Sequence, residues 1–213
     1  DCSPNGTRIC STSRDSTLRI WELDTGQCET VLRGHTNTVD SCAYHPDGSQ
    51  LASSSWDGTV VVWDLATGRP RLSLAAPRAL GYPRRSFRCM FTADGQYLVA
   101  LGAGGRMRIW SADTGKALHT LKSGFISTLA ASPSGALVAT ASVVKQKGEM
   151  KLDSRVDIWD VAAGTRVASV ALIGKPTALV WHPTRPILAC GVSYEGLHGQ
   201  FVVAIDFPGL ARF

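Results

Sequence analysis

Residues 34–64 read GHTNTVDSCAYHPDGSQLASSSWDGTVVVWD, and this stretch decides the fold. Alternating polar and apolar residues flank a turn at His45–Gly48, which predicts two antiparallel strands joined by that turn. A tight turn at Trp56–Gly58 leads to a third strand ending in Trp63-Asp64, and a turn at Thr67-Gly68 leads to a fourth. The stretch and the strand after it therefore predict one four-stranded antiparallel sheet.

Strands similar to the one that ends in Trp63-Asp64 recur along the whole chain. The steps between its equivalent positions are 42, 47, 49 and 46 residues. A period in the forties with this ending is typical of a four-stranded propeller blade. The five copies of the strand, the last without tryptophan, are Leu18–Glu22, Val60–Asp64, Met107–Ser111, Val156–Asp160 and Val202–Asp206.

These repeats resemble the WD-repeat family over essentially all 213 residues, most specifically from Gly34-His35 to Trp63-Asp64. The resemblance implies an all-β fold, a β-propeller of four-stranded antiparallel WD-repeat blades, with about five blade equivalents in residues 1–213. The first and last blades are expected to be incomplete, because only Asp1-Cys2 precedes the first turn and three strands follow residue 172. The expected blades of this single partial propeller domain are 1–33, 34–75, 76–122, 123–171 and 172–213.

WD-repeat propellers usually have about seven blades, which is about 300 residues at the family's period. The chain is therefore expected to be the C-terminal portion of a longer propeller, its remaining blades coming from the same or another chain.

The family also implies a hydrogen-bonded set of four side chains in each blade: His, Ser or Thr, Asp and Trp. A Ser/His/Asp set could be taken for a catalytic triad, but no exposed nucleophile, oxyanion hole or substrate pocket is indicated. We interpret the set as structural. Its members in this chain are His35, Ser53, Asp57 and Trp63 in the second blade, Ser11, Asp15 and Trp21 in the first, and Thr140, Asp153 and Trp159 in the fourth.

The later repeats depart from this pattern. In the third blade Tyr82, Ala100 and Gly104 replace the His, Ser and Asp, and in the fifth blade Cys190 takes the serine position. About nine extra residues within 143–152 expand the turn before the fourth blade's Trp strand. Sequence drift is one interpretation; reshaping of these loops for a partner is the other.

Basic residues concentrate beside these altered turns. No acidic residue lies between Asp64 and Asp94, and the chain has a formal net charge of +5. Such a cluster suits an acidic protein segment or a phosphate backbone, although a solubilising surface is the alternative. The candidate partner-binding residues, which could gather on adjoining blades of one face, are Trp56, Arg84, Arg85, Arg106, Lys145, Lys147 and Lys151.

Composition excludes several other classes of protein. The sequence contains no run of 18 apolar residues, so no membrane-spanning helix is predicted. Neither the six cysteines nor the five histidines have the spacing of metal ligands. We expect no metal, no cofactor and reduced thiols. The expected location is intracellular, most simply cytoplasmic, with nuclear, cytoskeletal or ciliary assemblies as alternatives.

The sequence thus predicts a non-catalytic protein–protein interaction scaffold within a larger assembly. The alternative is a propeller that binds nucleic acid or phosphate through the basic face of blades three and four. An enzyme using the central channel is the third hypothesis, but no His or carboxylate cluster repeats on the channel-facing strands.

Overall fold

The computed structural model describes residues 1–76, 88–122, 124–145, 152–193 and 200–207. All regular elements in these ranges are β-strands, and none of the described residues forms a helix long and apolar enough to cross a membrane. The strands are β1 (Arg8–Thr12), β2 (Thr17–Glu22), β3 (Cys28–Arg33), β4 (Val39–Tyr44), β5 (Gln50–Ser55), β6 (Thr59–Asp64), β7 (Arg69–Ala75), β8 (Arg88–Phe91), β9 (Tyr97–Gly102), β10 (Arg106–Ser111), β11 (Ala117–Lys122), β12 (Phe125–Ala131), β13 (Leu137–Lys145), β14 (Leu152–Asp160), β15 (Thr165–Leu172), β16 (Lys175–Trp181), β17 (Ile187–Ser193) and β18 (Gln200–Asp206).

These strands form five antiparallel sheets, each a meander in chain order. The second, third and fourth sheets have four strands each: β4–β7, β8–β11 and β12–β15. The first sheet (β1–β3) and the fifth (β16–β18) have three strands each among the described residues. Cys2 adds one isolated bridge to Ile9 at the free edge of β1. The predicted fold class, all-β with four-stranded antiparallel WD-type blades, is confirmed.

The chain divides into two compact units, residues 1–120 and 121–213. In the first unit β1 contacts β4 and β4 contacts β8, so the first strands of successive sheets are neighbours. In the second unit β12 contacts β16 in the same way. Each sheet thus packs on the next one along the chain within its unit.

The central strands are buried on both faces, which is why they read as nearly continuous apolar runs. In β6, Val61 and Trp63 enter the core shared with the first sheet, while Val60 and Val62 enter the core shared with the third. In the second unit one core lies between the fourth and fifth sheets, with Ile158 contributed by β14.

The first turns of the second and third sheets also touch each other. In the second sheet, His45 reaches across to the turn of the third sheet, where its Nε2 lies 3.0 Å from the carbonyl oxygen of Gly95. The imidazole packs edge-on against Phe91 with 4.9 Å between ring centroids. Gly95 has a φ of +71°, and a Cβ added there would lie 2.5 Å from His45 Nε2. Glycine is therefore required at this turn for both conformation and space.

The extra residues at 143–152 do not all enlarge a turn, as the sequence suggested. β13 and β14 are nine residues each, and their ladder runs four residue pairs further than that of the second sheet: Ser142↔Arg155, Val143↔Ser154, Val144↔Asp153 and Lys145↔Leu152. The equivalent ladder of the second sheet ends at Ser54↔Val60. Val143 and Val144 favour extended backbone, so part of the insertion continues the hairpin.

Candidate interaction surface

The second sheet connects four side chains from three segments into one hydrogen-bonded chain. The indole Nε1 of Trp63 donates to Ser53 Oγ at 2.8 Å, and Ser53 Oγ lies 2.8 Å from His35 Nε2. The other ring nitrogen of His35, Nδ1, lies 2.8 Å from a carboxylate oxygen of Asp57. With Nδ1 donating to the carboxylate, Nε2 accepts from the serine hydroxyl, so every group has a partner.

Burial decides what this chain of side chains can do. Ser53 and Trp63 are fully buried and His35 is 7% exposed. Ser53 Oγ accepts the indole N–H and is sealed inside the sheet, whereas a nucleophile must reach a substrate. The arrangement instead satisfies polar groups that would be costly to bury alone.

Asp57 connects the turn before the Trp strand to the segment that links the first and second sheets. One carboxylate oxygen accepts the backbone N–H of Thr36 at 3.0 Å, and the other accepts the Thr59 hydroxyl at 2.6 Å. Burial raises the pKa of Asp57, but hydrogen bonds from Thr59, Thr36 and His35 outweigh burial and hold the pKa below its usual value. The segment that links the first two sheets and the turn before the Trp strand therefore lie at the same end of the second sheet, where hydrogen bonds to Asp57 hold them together.

The first sheet has an exposed version of the same contacts. Trp21 Nε1 donates to Ser11 Oγ at 2.8 Å, but Ser11 is exposed and Trp21 is only half-buried. Asp15 accepts from Thr17 and forms an ion pair with Arg19 at 2.9 Å, and these hydrogen bonds hold its pKa below the usual value.

The fourth sheet keeps only part of the set in the described residues. Trp159 Nε1 donates to Thr140 Oγ1 at 2.9 Å. The backbone of Asp153 lies inside the β13–β14 ladder opposite Val144, whereas Asp57 of the second sheet lies in a turn. The side chain of Asp153 lies outside the described residues. The longer hairpin has thus moved this aspartate from a turn into a strand.

A buried carboxylate in the fourth sheet was missed by the sequence analysis. Asp157 is fully buried on β14, at the ladder position that Val61 occupies in the second sheet. It forms ion pairs with Arg155 at 2.9 Å and Arg166 at 3.3 Å, and it accepts the Ser169 hydroxyl at 2.7 Å. Both arginine side chains are about a third or more exposed.

The carboxylate is buried, whereas both arginines are partly exposed. This difference gives a prediction for Asp157→Val, which places the second sheet's Val61 side chain at this position. Both arginines can return to water, so the free energy of unfolding should change by less than about 1 kcal/mol. The double variant Arg155→Ala, Arg166→Ala removes two cations from beside the buried carboxylate and should cost about 3 kcal/mol. Urea unfolding of the full chain compares them; a larger loss for Asp157→Val than for the double variant contradicts the prediction.

The third sheet lacks the set altogether in its described part. Ala100 lies where Ser53 lies in the second sheet, Gly104 takes the place of Asp57, and Arg106 takes the place of Thr59. Tyr82, the predicted counterpart of His35, lies outside the described residues. Without a turn aspartate, the half-buried Arg106 forms no ion pair with any described residue.

Of the other candidate partner-binding residues, Trp56 is described by the structure, whereas the side chains of the remaining basic residues are not. Trp56 is half-buried in the turn between β5 and β6, where its backbone N–H donates to the carbonyl of Thr38 at 2.9 Å. Arg84, Arg85, Lys147 and Lys151 lie outside the described residues, and only the backbone of Lys145, at the end of β13, is described. Among the described residues no three His, Cys, Asp or Glu side chains are grouped so that they could hold a metal ion.

Comparison with known proteins agrees with the geometry of the first two sheets. The model of the WD domain, G-beta repeat, matches residues 1–22 and 26–64. The human WD repeat and SOCS box-containing protein 1 is 54% identical over 44 residues, which are 20% of this chain and 10% of that protein. The aligned stretch is thus a small part of the relative's length. WD repeats are thus matched within the first 64 residues, and antiparallel sheets in the same chain order continue after them.

Proposed function

We propose that this chain is a non-catalytic scaffold that presents the turns of its sheets to other proteins within an intracellular assembly. WD-repeat domains generally mediate protein–protein interactions and generally lack catalytic activity. The buried Ser53 supports this proposal, because the Ser/His/Asp set of the second sheet is occupied in holding that sheet together. All six cysteines are free thiols, which is the state that a reducing compartment maintains.

The partner we propose is an acidic protein segment that docks beside the turn of the third sheet that carries Arg106. The observation that carries this proposal is Arg106, whose position in the first two sheets is held by Thr17 and Thr59, each bonded to a turn aspartate. Replacement of aspartate by Gly104 leaves a guanidinium with no carboxylate partner among the described residues at that turn. On sequence grounds the proposal adds Arg84 and Arg85, which precede β8, and Lys145, Lys147 and Lys151, which belong to the insertion of the fourth sheet.

Charge reversal tests this surface. The quadruple variant Arg84→Glu, Arg85→Glu, Lys145→Glu, Lys147→Glu should lower affinity for the native partner at least tenfold at low salt, mainly through slower association. Its free energy of unfolding should stay close to that of the parent chain, because exposed charges contribute little to stability.

The experiment uses the full chain as bait, identifies the proteins retained by the parent, and then measures association with the purified partner. The control is Arg69→Glu with Lys116→Glu, which reverses two exposed charges at the opposite ends of the strands. Equal affinity of the parent and the quadruple variant would overturn the acidic-segment proposal. Retention of nucleic acid, with affinity that falls steeply as salt is raised, would favour the phosphate-binding alternative instead.

A further inference from the structure

A cavity of about 450 Å³ lies between the first turn of the fourth sheet and the first turn of the fifth, entirely within the second unit. Its volume is in the range of sites that bind small groups or peptide side chains. Leu137 and Trp181 line it, together with Pro133, Pro183 and Pro186. The cavity therefore combines an aromatic ring with several rigid apolar surfaces.

The second and third sheets show one way in which the equivalent space is filled. There His45, the first residue of its turn, lies against Phe91 and reaches the Gly95 carbonyl. The corresponding first turn residue of the fourth sheet is Ser132, whose backbone N–H bonds to the strand after the turn just as that of His45 does. Trp181, the last residue of β16, corresponds to Phe91, the last residue of β8.

Replacement of the imidazole by a serine hydroxyl leaves the space over the ring unfilled. The Ser132 hydroxyl stays within its own turn, 3.0 Å from the Ser134 hydroxyl and 3.1 Å from the Leu137 nitrogen. The Trp181 indole N–H is already donated to the Ala130 carbonyl at 3.2 Å. A ligand would therefore meet the ring of Trp181 through its aromatic surface.

The facing turn carries a charge instead of a glycine. Arg185 stands where Gly48, Gly95 and Gly135 stand in the other sheets, and it is exposed. It forms no ion pair with a described residue, and none of the residues that line the cavity is acidic. Its guanidinium lies beside His182, with 3.3 Å between Arg185 Nε and His182 Nε2.

We infer that this cavity binds a short peptide segment of a partner protein, with an aromatic side chain over Trp181 and an adjacent carboxylate paired with Arg185. The aromatic side chain takes the place that the His45 imidazole fills between the second and third sheets, where edge-on ring packing is already seen. The carboxylate supplies the bidentate acceptor that a guanidinium prefers. This site rests on the proposed protein-binding function and adds to it a second surface, distinct from the turns that carry Arg106.

The direct probe is an acetylated, amidated hexapeptide Gly-Ser-Phe-Glu-Ser-Gly, titrated against the full chain labelled on its tryptophan indoles for NMR. The Trp181 resonance, assigned with Trp181→Phe, should shift saturably. Exchanging the peptide's glutamate for lysine, or its phenylalanine for serine, should weaken binding at least fivefold. Equal binding of all three peptides, or no shift of the Trp181 resonance, would overturn the inference.

Four variants separate this site from the basic residues of the proposed acidic-segment site. Arg185→Glu should bind the lysine peptide more tightly than the glutamate peptide, whereas Arg69→Glu, a reversal of an exposed charge in the first unit, should leave the preference unchanged. Ser132→His, which copies His45 into the gap, should abolish binding of the glutamate peptide. The quadruple charge reversal at 84, 85, 145 and 147 should bind the peptide as tightly as the parent. The experiments can therefore refute the peptide site and the acidic-segment site independently. Unchanged preference in Arg185→Glu would overturn the inference even if Ser132→His does not fold.

Discussion

Replacing Ser53 by alanine should lower the free energy of unfolding by about 2–4 kcal/mol, because two buried polar groups lose their partner at once. The Ser53 hydroxyl accepts the Trp63 indole N–H and bonds to His35 Nε2, each at 2.8 Å. No water can replace it, since Ser53 and Trp63 are fully buried. Chemical denaturation of the full chain, followed by fluorescence, measures the loss.

The chain contains its own control for this substitution. In the first sheet, Ser11 accepts the indole N–H of Trp21 at the same distance of 2.8 Å, but both residues have access to solvent. Ser11→Ala should cost less than about 1 kcal/mol, because water takes the place of the hydroxyl. Equal losses for the two variants would show that burial does not set the strength of these contacts.

Replacing Gly95 by alanine should be comparably damaging, with a loss of about 2–4 kcal/mol from combined strain and overpacking. The residue has a positive φ, and the new methyl group would lie 2.5 Å from Nε2 and 2.7 Å from Cε1 of His45. The imidazole cannot withdraw without losing its bond to the Gly95 carbonyl and its packing on Phe91.

Two comparisons divide this loss into its parts. Gly26 has a φ of +67° with no atom within 4 Å of an added Cβ, so Gly26→Ala should show the conformational cost alone, about 1–2 kcal/mol. In a His45→Ala background, Gly95→Ala should cost the same as Gly26→Ala. If the cost of Gly95→Ala is unchanged in that background, the methyl group does not meet the imidazole. This double-mutant cycle measures the coupling between two turns that are 50 residues apart.

The regular part of the fold could be predicted from sequence, because each sheet follows from local signals. Turn residues such as those at His45–Gly48 stop one strand and start the next, and the Trp-Asp ending fixes the period. The strands β4–β7 fall within the stretch that the sequence assigned to the second blade. The four side chains that meet around Ser53 came from the family resemblance, not from spacing alone.

Side-chain contacts between strands and between sheets could not be predicted in the same way. Asp157 lies in Val156-Asp157-Ile158, where alternation suggests a solvent-facing residue, and its partner Arg166 comes from the next strand beyond a register shift at Ile158/Trp159. The cavity next to Trp181 depends on comparing Ser132 with His45 and Arg185 with Gly95. These residue differences can be read from the sequence, but the cavity that results can be predicted only when the turns that contact each other are known.

The lengthened hairpin of β13 and β14 reduces the backbone conformational entropy that would be lost when a partner protein binds at its end. Four added residue pairs at about 3.3 Å each carry the paired backbone about 13 Å beyond the level at which the hairpin of the second sheet stops. Residues held in this ladder have already given up much of the backbone freedom that residues of an unpaired loop would lose on binding. A protein that meets Lys145 therefore contacts an arm whose direction is set in advance, and more of the contact energy remains available as affinity.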